Sequence, residues 1–181
     1  MKVTRFLLPI LLTPAALASP ISHIKRDVNE LSFAIGQIKE SLYSVNGTLD
    51  AFHGNPDMAA ATQLAFSSQK LLSATQSAAS AANSTSPLSG ADSARIAGEI
   101  AQLESSTSSV VDKVETCGAD FHRLLDGRFV EVGKKMLRNQ SASVAAFGDA
   151  VAVLLAPEDA ERAADSLQSM KDQLWRAAHR F

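Results

Sequence analysis

Val28, Leu31, Ile35, Ile38, Leu42, Val45, Leu49 and Phe52 follow one another at spacings of three and four residues. That period lays an unbroken apolar stripe along one face of an α-helix. Asp27 is suited to cap the start, and Gly54-Asn55-Pro56 is suited to stop it. The helix between them has about 25 residues and a length of about 37 Å. Such a stripe cannot bury itself, so the rest of the chain must supply helices that pack on it.

The remaining segments fit that requirement. A second helix is expected from Pro56 to about Ala82, with Leu64, Phe66, Leu71 and Leu72 among many alanines, and then a linker from Asn83 to Ser89. A third carries Ile96, Ile100, Leu103, Val110, Val111 and Val114, with a serine-rich weak middle at Ser105 to Ser109 and Gly118 at its end. A fourth is expected over 119–138, with Gly127 as a candidate break. Asn139-Gln140-Ser141 reads as a polar interruption before a fifth helix over 142–155. Pro157 opens the last helix, whose Glu158, Asp159 and Glu161 suit the positive end of its dipole, and Leu167, Met170 and Leu174 form its stripe. With 6% aromatic residues and no alternating pattern of strand length, the expected fold is all-α, an antiparallel helical bundle of five to six helices. The chain holds 30 Ala and 22 Ser in 181 residues, concentrated on the second and third helices. Small residues either let helices approach closely or leave space between them.

The first residues read as targeting rather than fold. Lys2 and Arg5 precede the apolar run Phe6 to Leu12, and Ala16 and Ala18 supply the small residues of a cleavage site, so residues 1–18 are expected to be a signal peptide cut after Ala18. Pro9, Thr13 and Pro14 interrupt the run, which is too short for a membrane span. Lys25-Arg26 follows; it is either a dibasic processing site ending a short propeptide, 19–26, or simply a basic pair flanking the helix start. The helical domain would then be 27–181. Residues 1–26 hold four basic residues and no acidic one, so their removal leaves thirteen basic against nineteen acidic, a net charge of −6 in place of −2. That charge disfavours nucleic acid or an anionic membrane as a partner. Three sequons, at Asn46, Asn83 and Asn139, are candidates for N-glycosylation, Asn83 foremost because it sits in the linker. The chain ends at Phe181 without a hydrophobic tail, so no lipid-anchor signal is expected.

Catalytic patterns are weak. Ser67-Ser68-Gln69-Lys70 contains S-x-x-K but lacks the partner motifs that chemistry needs. Gly127 to Lys135 misses the phosphate-loop spacing, and no G-x-S-x-G occurs. The four histidines are scattered, and the single cysteine excludes a disulfide framework and a cysteine-rich zinc site. No catalytic residue, metal or cofactor is expected. Asp120 could tune the charge of His122, which has no nucleophile near it in sequence. Cys117 is either a small buried residue or the link of a disulfide-bonded dimer. Tyr43 and Trp175 are too few for a polysaccharide platform. An apolar ligand or surface suits the aliphatic stripes better.

The layout also resembles a known family. The stretch Ala16-Leu17-Ala18-Ser19-Pro20, the Lys25-Arg26-Asp27 step, the long helix from Val28 to Phe52, the Ser/Ala-rich middle, and the later patterns at Phe121 to Leu137, Ser143 to Leu155 and Pro157 to Phe181 are similar to the fungal hydrophobic surface-binding protein A and cell wall galactomannoprotein family. Cys117, Gly127, Gly133 and the basic stretch Arg123 to Arg138 depart from it. The resemblance implies a secreted, extracellular or wall-associated protein without enzymatic activity, which binds hydrophobic surfaces or holds fatty-acid-type lipids between its helices. The residues expected to line such a site are Leu31, Ile35, Ile38, Leu42, Phe121, Leu124, Leu125, Phe147 and Val151. The competing roles are a structural cell wall glycoprotein, a secreted effector acting on a protein partner, or a helical inhibitor of enzymes.

Overall fold

A computed structural model describes residues 20–180, with side chains from Val28 onward except those of Leu125 and Asp126. The expected signal peptide therefore lies outside the described residues. The described residues form six α-helices and one short 3-10 turn: α1 (Pro20–Gly54), α2 (Met58–Ser84), α3 (Gly90–Thr116), α4 (Gly118–Arg123), the turn Leu124–Gly127, α5 (Arg128–Ala152) and α6 (Pro157–Arg180). Among the described residues there is no strand, and no helix is long and apolar enough to cross a membrane.

All eight residues of the first stripe are buried. The helix that carries them begins earlier than expected, at Pro20 rather than after Asp27, so Lys25-Arg26 lies within α1. Proline suits a first helical turn, and Ile21 and Ile24 continue the spacing of three and four. Asp57 caps α2, its carboxylate accepting the Ala60 N–H at 2.8 Å. The serine-rich middle of α3 does not break the helix.

Two boundaries differ from the expectation in opposite ways. Gly127 does break the chain: it sits in the left-handed region with φ 84° and separates the 3-10 turn from α5. Most side chains are strained there, which explains a glycine at this point. Asn139-Gln140-Ser141 does not interrupt anything, and α5 runs straight through it to Ala152. Gln140 turns inward and donates to the Thr75 hydroxyl at 2.7 Å, while the Ser141 hydroxyl donates to the Lys171 carbonyl at 3.2 Å. Those tertiary partners give the polar residues a reason to stay helical.

The five long helices form a closed ring. α1 packs on α2, α2 on α5, α5 on α6, α6 on α3, and α3 returns to α1. Helices successive in sequence run antiparallel, but three neighbours in the ring are parallel. Ser32, Lys39 and Asp50 of α1 meet Glu99, Gln102 and Lys113 of α3 in order, Glu115 meets Arg180 at the ends of α3 and α6, and α2 and α5 run alongside. At an interaxial spacing of about 9 Å, five helices stand about 8 Å from the ring centre, against about 6 Å in a four-membered ring. Long side chains are needed to fill that distance. α2 offers Ala61, Ser67, Thr75, Ala78 and Ala82 among its buried residues, and α3 offers Ser93, Ala97 and Thr107. The small residues thus leave the axis incompletely filled. Elsewhere small residues serve close approach: Thr48 of α1 and Ser67 of α2 share a hydrogen bond of 2.8 Å, and a Cβ on Gly148 of α5 would stand 3.6 Å from Leu167 of α6.

Candidate functional site

The unfilled axis holds two voids. The larger, of about 70 Å³, is lined by Val45 and Leu49 of α1, Leu64, Ser68 and Leu71 of α2, Val110 and Val114 of α3, Phe121 of α4, Phe129, Gly133, Met136, Leu137 and Gln140 of α5, and Leu174 of α6. The smaller, of about 20 Å³, lies deeper, between Ile38, Leu42, Leu71, Thr75, Leu103, Thr107, Val110, Gln140, Val144, Phe147, Met170 and Leu174. Leu71, Val110, Gln140 and Leu174 border both, so the two voids are neighbours along the ring axis. All five ring helices contribute to each. No residue lining either void is ionisable.

One end of this axis is closed by aromatic rings. Phe52, the last apolar residue of the α1 stripe, stacks on Phe121 with centroids 4.8 Å apart, and Phe129 completes the group at 6.2 Å from Phe52 and 5.8 Å from Phe121. Beside them, His53 Nδ1 lies 2.7 Å from the Asp120 carboxylate, and Arg123 also pairs with Asp120. Asp120 therefore faces His53, while His122 is exposed. Cys117 is buried against the same end, its Sγ 3.8 Å from the Leu49 carbonyl. Burial, with Asp120 and Asp50 nearby, pushes its thiol up to about 11. Ligand atoms of His53, Cys117 and Asp120 lie within 4.8 Å of one another. Sequence reading missed this trio because its members come from three elements. The histidine nitrogen is already engaged by the carboxylate and the thiol is held protonated. Cys117 could link two copies of the chain only if this end opened.

Of the nine residues expected to line an apolar site, Ile38, Leu42, Phe121 and Phe147 border the voids. Leu31, Ile35, Leu124 and Val151 are buried in the core outside them. They share the stripes but lie toward other levels of the bundle or other contacts, a distinction that helical period alone does not carry. The Leu125 side chain is outside the described set. The lining missed by sequence includes Leu49, Leu71, Val110, Val114, Phe129 and Leu174. Their apolar spacing was visible, but nothing marked them as facing a gap. The polar members Thr75, Thr107 and Gln140 gave no signal, since they sit in Ser/Thr-rich or sequon contexts.

The sequon asparagines differ in setting. Asn83 is exposed in the last turn of α2, Asn139 is exposed in the middle of α5, and Asn46 is half-buried with its Oδ1 enclosed and unpartnered.

A ring of helices around an apolar axis, without an ionisable lining, defines a helical protein with an internal apolar site. The pattern of the family described as hydrophobic surface binding protein A matches residues 28–152, and the chain belongs to that family. Its fold is also that of solved fungal structures. AFMP4P, solved in complex with palmitic acid, is 18% identical with a TM-score of 0.75, over 86% of this chain and 97% of that one. Ligand binding domain 1 of the Penicillium marneffei MP1 protein, complexed with arachidonic acids, is 20% identical with a TM-score of 0.69, over 86% and 95%. Domain 2 of the same protein, also complexed with arachidonic acids, is 13% identical with a TM-score of 0.63, over 91% and 95%. No curated protein sequence shows significant similarity to the chain.

Proposed function

We propose that the chain is a secreted, non-enzymatic protein that takes a fatty-acid-type lipid into the axis of its helix ring. The observation that carries this reading is the pair of neighbouring, mainly apolar voids bordered by all five long helices. The family membership and the lipids bound by structures of the same fold support it. Burial contributes about 0.8 kcal/mol per methylene, so a long alkyl chain binds well with few polar contacts.

The voids are too small for a long alkyl chain, although Ser68, Gly133, Met136 and Leu137 on the wall of the larger one are only half-buried. A dry cavity of about 150 Å³ accommodates benzene, and the larger void here is about 70 Å³. A long chain therefore fits only once the space widens, by separation of the helices or movement of the aromatic plug. The signal peptide, the glycan at Asn83 and the extracellular or cell wall setting belong to the same proposal. A second reading rests on Phe33 and Phe66, exposed at 69% and 70% on either side of a shallow groove between α1 and α2. These rings would let the protein adsorb to a hydrophobic surface without opening.

Solvent extraction of the protein purified from a secreting host, followed by lipid mass spectrometry, separates the two. A fatty acid recovered in constant ratio to protein supports the internal site. Extracts without lipid, together with adsorption to polystyrene beads that is lost in a Phe33→Ser/Phe66→Ser double variant, support the surface reading.

A further inference from the structure

Two polar atoms on the axis lack partners. Gln140 and Thr107 both border the smaller void, with 8% and 2% of their surface exposed. The Gln140 amide donates from Nε2 to the Thr75 oxygen at 2.7 Å, and the Thr75 hydroxyl in turn donates to the Leu71 carbonyl at 2.9 Å. With the Thr75 proton given to Leu71, Thr75 accepts from the amide nitrogen, and the amide oxygen is left turned away from Thr75. That oxygen has no partner, and neither does the Thr107 hydroxyl. Thr75, Thr62 and Thr116 each bond the carbonyl four residues back along their helices, which Thr107 does not. An unsatisfied buried polar group costs about 1–3 kcal/mol, so two on one void need an occupant. The space of about 20 Å³ suffices for one water-sized group.

We propose that Thr107 and Gln140 seat the polar end of the lipid, and that the group they take is a protonated carboxyl rather than a carboxylate. This rests on the fatty-acid reading above. The Gln140 oxygen can only accept, and the Thr107 hydroxyl can donate. A carboxylic acid offers both complements, its O–H to Gln140 and its carbonyl oxygen to Thr107. A carboxylate would have no proton for Gln140 and would meet lone pairs. It would also lack a counter-charge, because no residue lining either void, from α1, α2, α3, α4, α5 or α6, is ionisable. A charge buried without a partner is strongly disfavoured and neutralises instead. The alkyl tail then runs from this seat through the larger void toward Phe121 and Phe129. Because the bound form is the neutral acid, affinity falls about tenfold per pH unit as the free acid ionises.

The test uses the delipidated full chain with palmitic acid carrying carbon-13 at its carboxyl, and hexadecane as a chain without a polar end. The carboxyl resonance of bound acid is followed from about pH 4 to about pH 9. The proposal expects it to keep the protonated shift at pH values where the free acid is ionised. It also expects Thr107→Val and Gln140→Leu to weaken palmitic acid about tenfold each, to bind hexadecane no more weakly than the parent, and to melt no lower than the parent. Thr107→Ser, which keeps the hydroxyl, restores acid binding. If the parent binds the acid but its carboxyl titrates as in solution, or if both variants bind it as tightly as the parent, the seat is refuted while the lipid reading stands. If the parent binds neither palmitic acid nor hexadecane, the lipid reading fails and takes the seat with it.

Discussion

Phe52 and Phe121 stack 4.8 Å apart, and the residues that follow and precede them in sequence, His53 and Asp120, pair at 2.7 Å. Two adjacent contacts thus fasten the end of α1 to α4 across one end of the helix ring. α4 and the 3-10 turn make few other contacts with the bundle, so this fastening is the part of the fold best placed to open. Truncating Phe121 to Ala removes the central ring of the plug, and it is 3% exposed. The expected loss is about 3–4 kcal/mol of unfolding free energy in urea, with faster release of bound lipid in stopped-flow displacement. A variant that is destabilised but releases lipid at the parental rate would show that lipid enters elsewhere.

Thr107 makes a prediction of opposite sign. Its hydroxyl is buried without a partner, and valine has nearly the same shape. Thr107→Val is expected to raise the stability of the lipid-free protein by about 1 kcal/mol. Denaturant titration of the delipidated variant checks this, and a loss of stability would mean that a tightly held water already satisfies the hydroxyl.

The pattern of the fold was legible where the signal is local, and the site was not. The stripe from Val28 to Phe52, the stop at Gly54-Asn55-Pro56 and the break at Gly127 all depend on neighbouring residues, and each is in place. The interruption expected at Asn139-Gln140-Ser141 failed because the partner of Gln140 is Thr75, 65 residues away. The voids were invisible for a related reason. Ile38 and Ile35 belong to one stripe with equal hydrophobicity, yet only Ile38 borders a gap. Which of the two does so depends on small residues such as Thr75 on other helices, and on a ring closure that helical period does not encode.

Cys117 provides an alkaline signature. Its folded-state thiol is raised to about 11, first by burial and then by Asp120 and Asp50. A group raised on folding favours its protonated state, so its contribution is complete below the ordinary thiol range and is lost as pH rises toward 11. The melting temperature of the parent is expected to fall more steeply between about pH 9 and about pH 11 than that of Cys117→Ala. The thiol is also expected to resist a disulfide reagent at neutral pH until denaturant is added. Rapid labelling of the native protein would contradict its placement.

Asp159 ties the start of α6 to that of α3. The Ser93 hydroxyl, and then Arg162, hold its carboxyl below the usual range, against the opposing effect of burial. Ser93 Oγ also accepts the Ala156 N–H at 2.8 Å. A depressed carboxyl contributes stability above its unfolded pKa and loses it as pH falls through the folded value. Asp159→Asn is therefore expected to melt below the parent at neutral pH, with the difference shrinking under acid. A difference that persists unchanged at the lowest pH would assign the effect to packing instead.

The proposed function requires that the ring axis accept a single alkyl chain. Native mass spectrometry of the delipidated, deglycosylated protein titrated with palmitic acid tests it most directly. The account predicts a saturable adduct of one palmitic acid per chain, lost when the Leu71→Glu substitution places a charge on the wall that both voids share while the variant still folds. A bare protein mass at every ratio, or adducts that accumulate without saturation and are indifferent to Leu71→Glu, would contradict it.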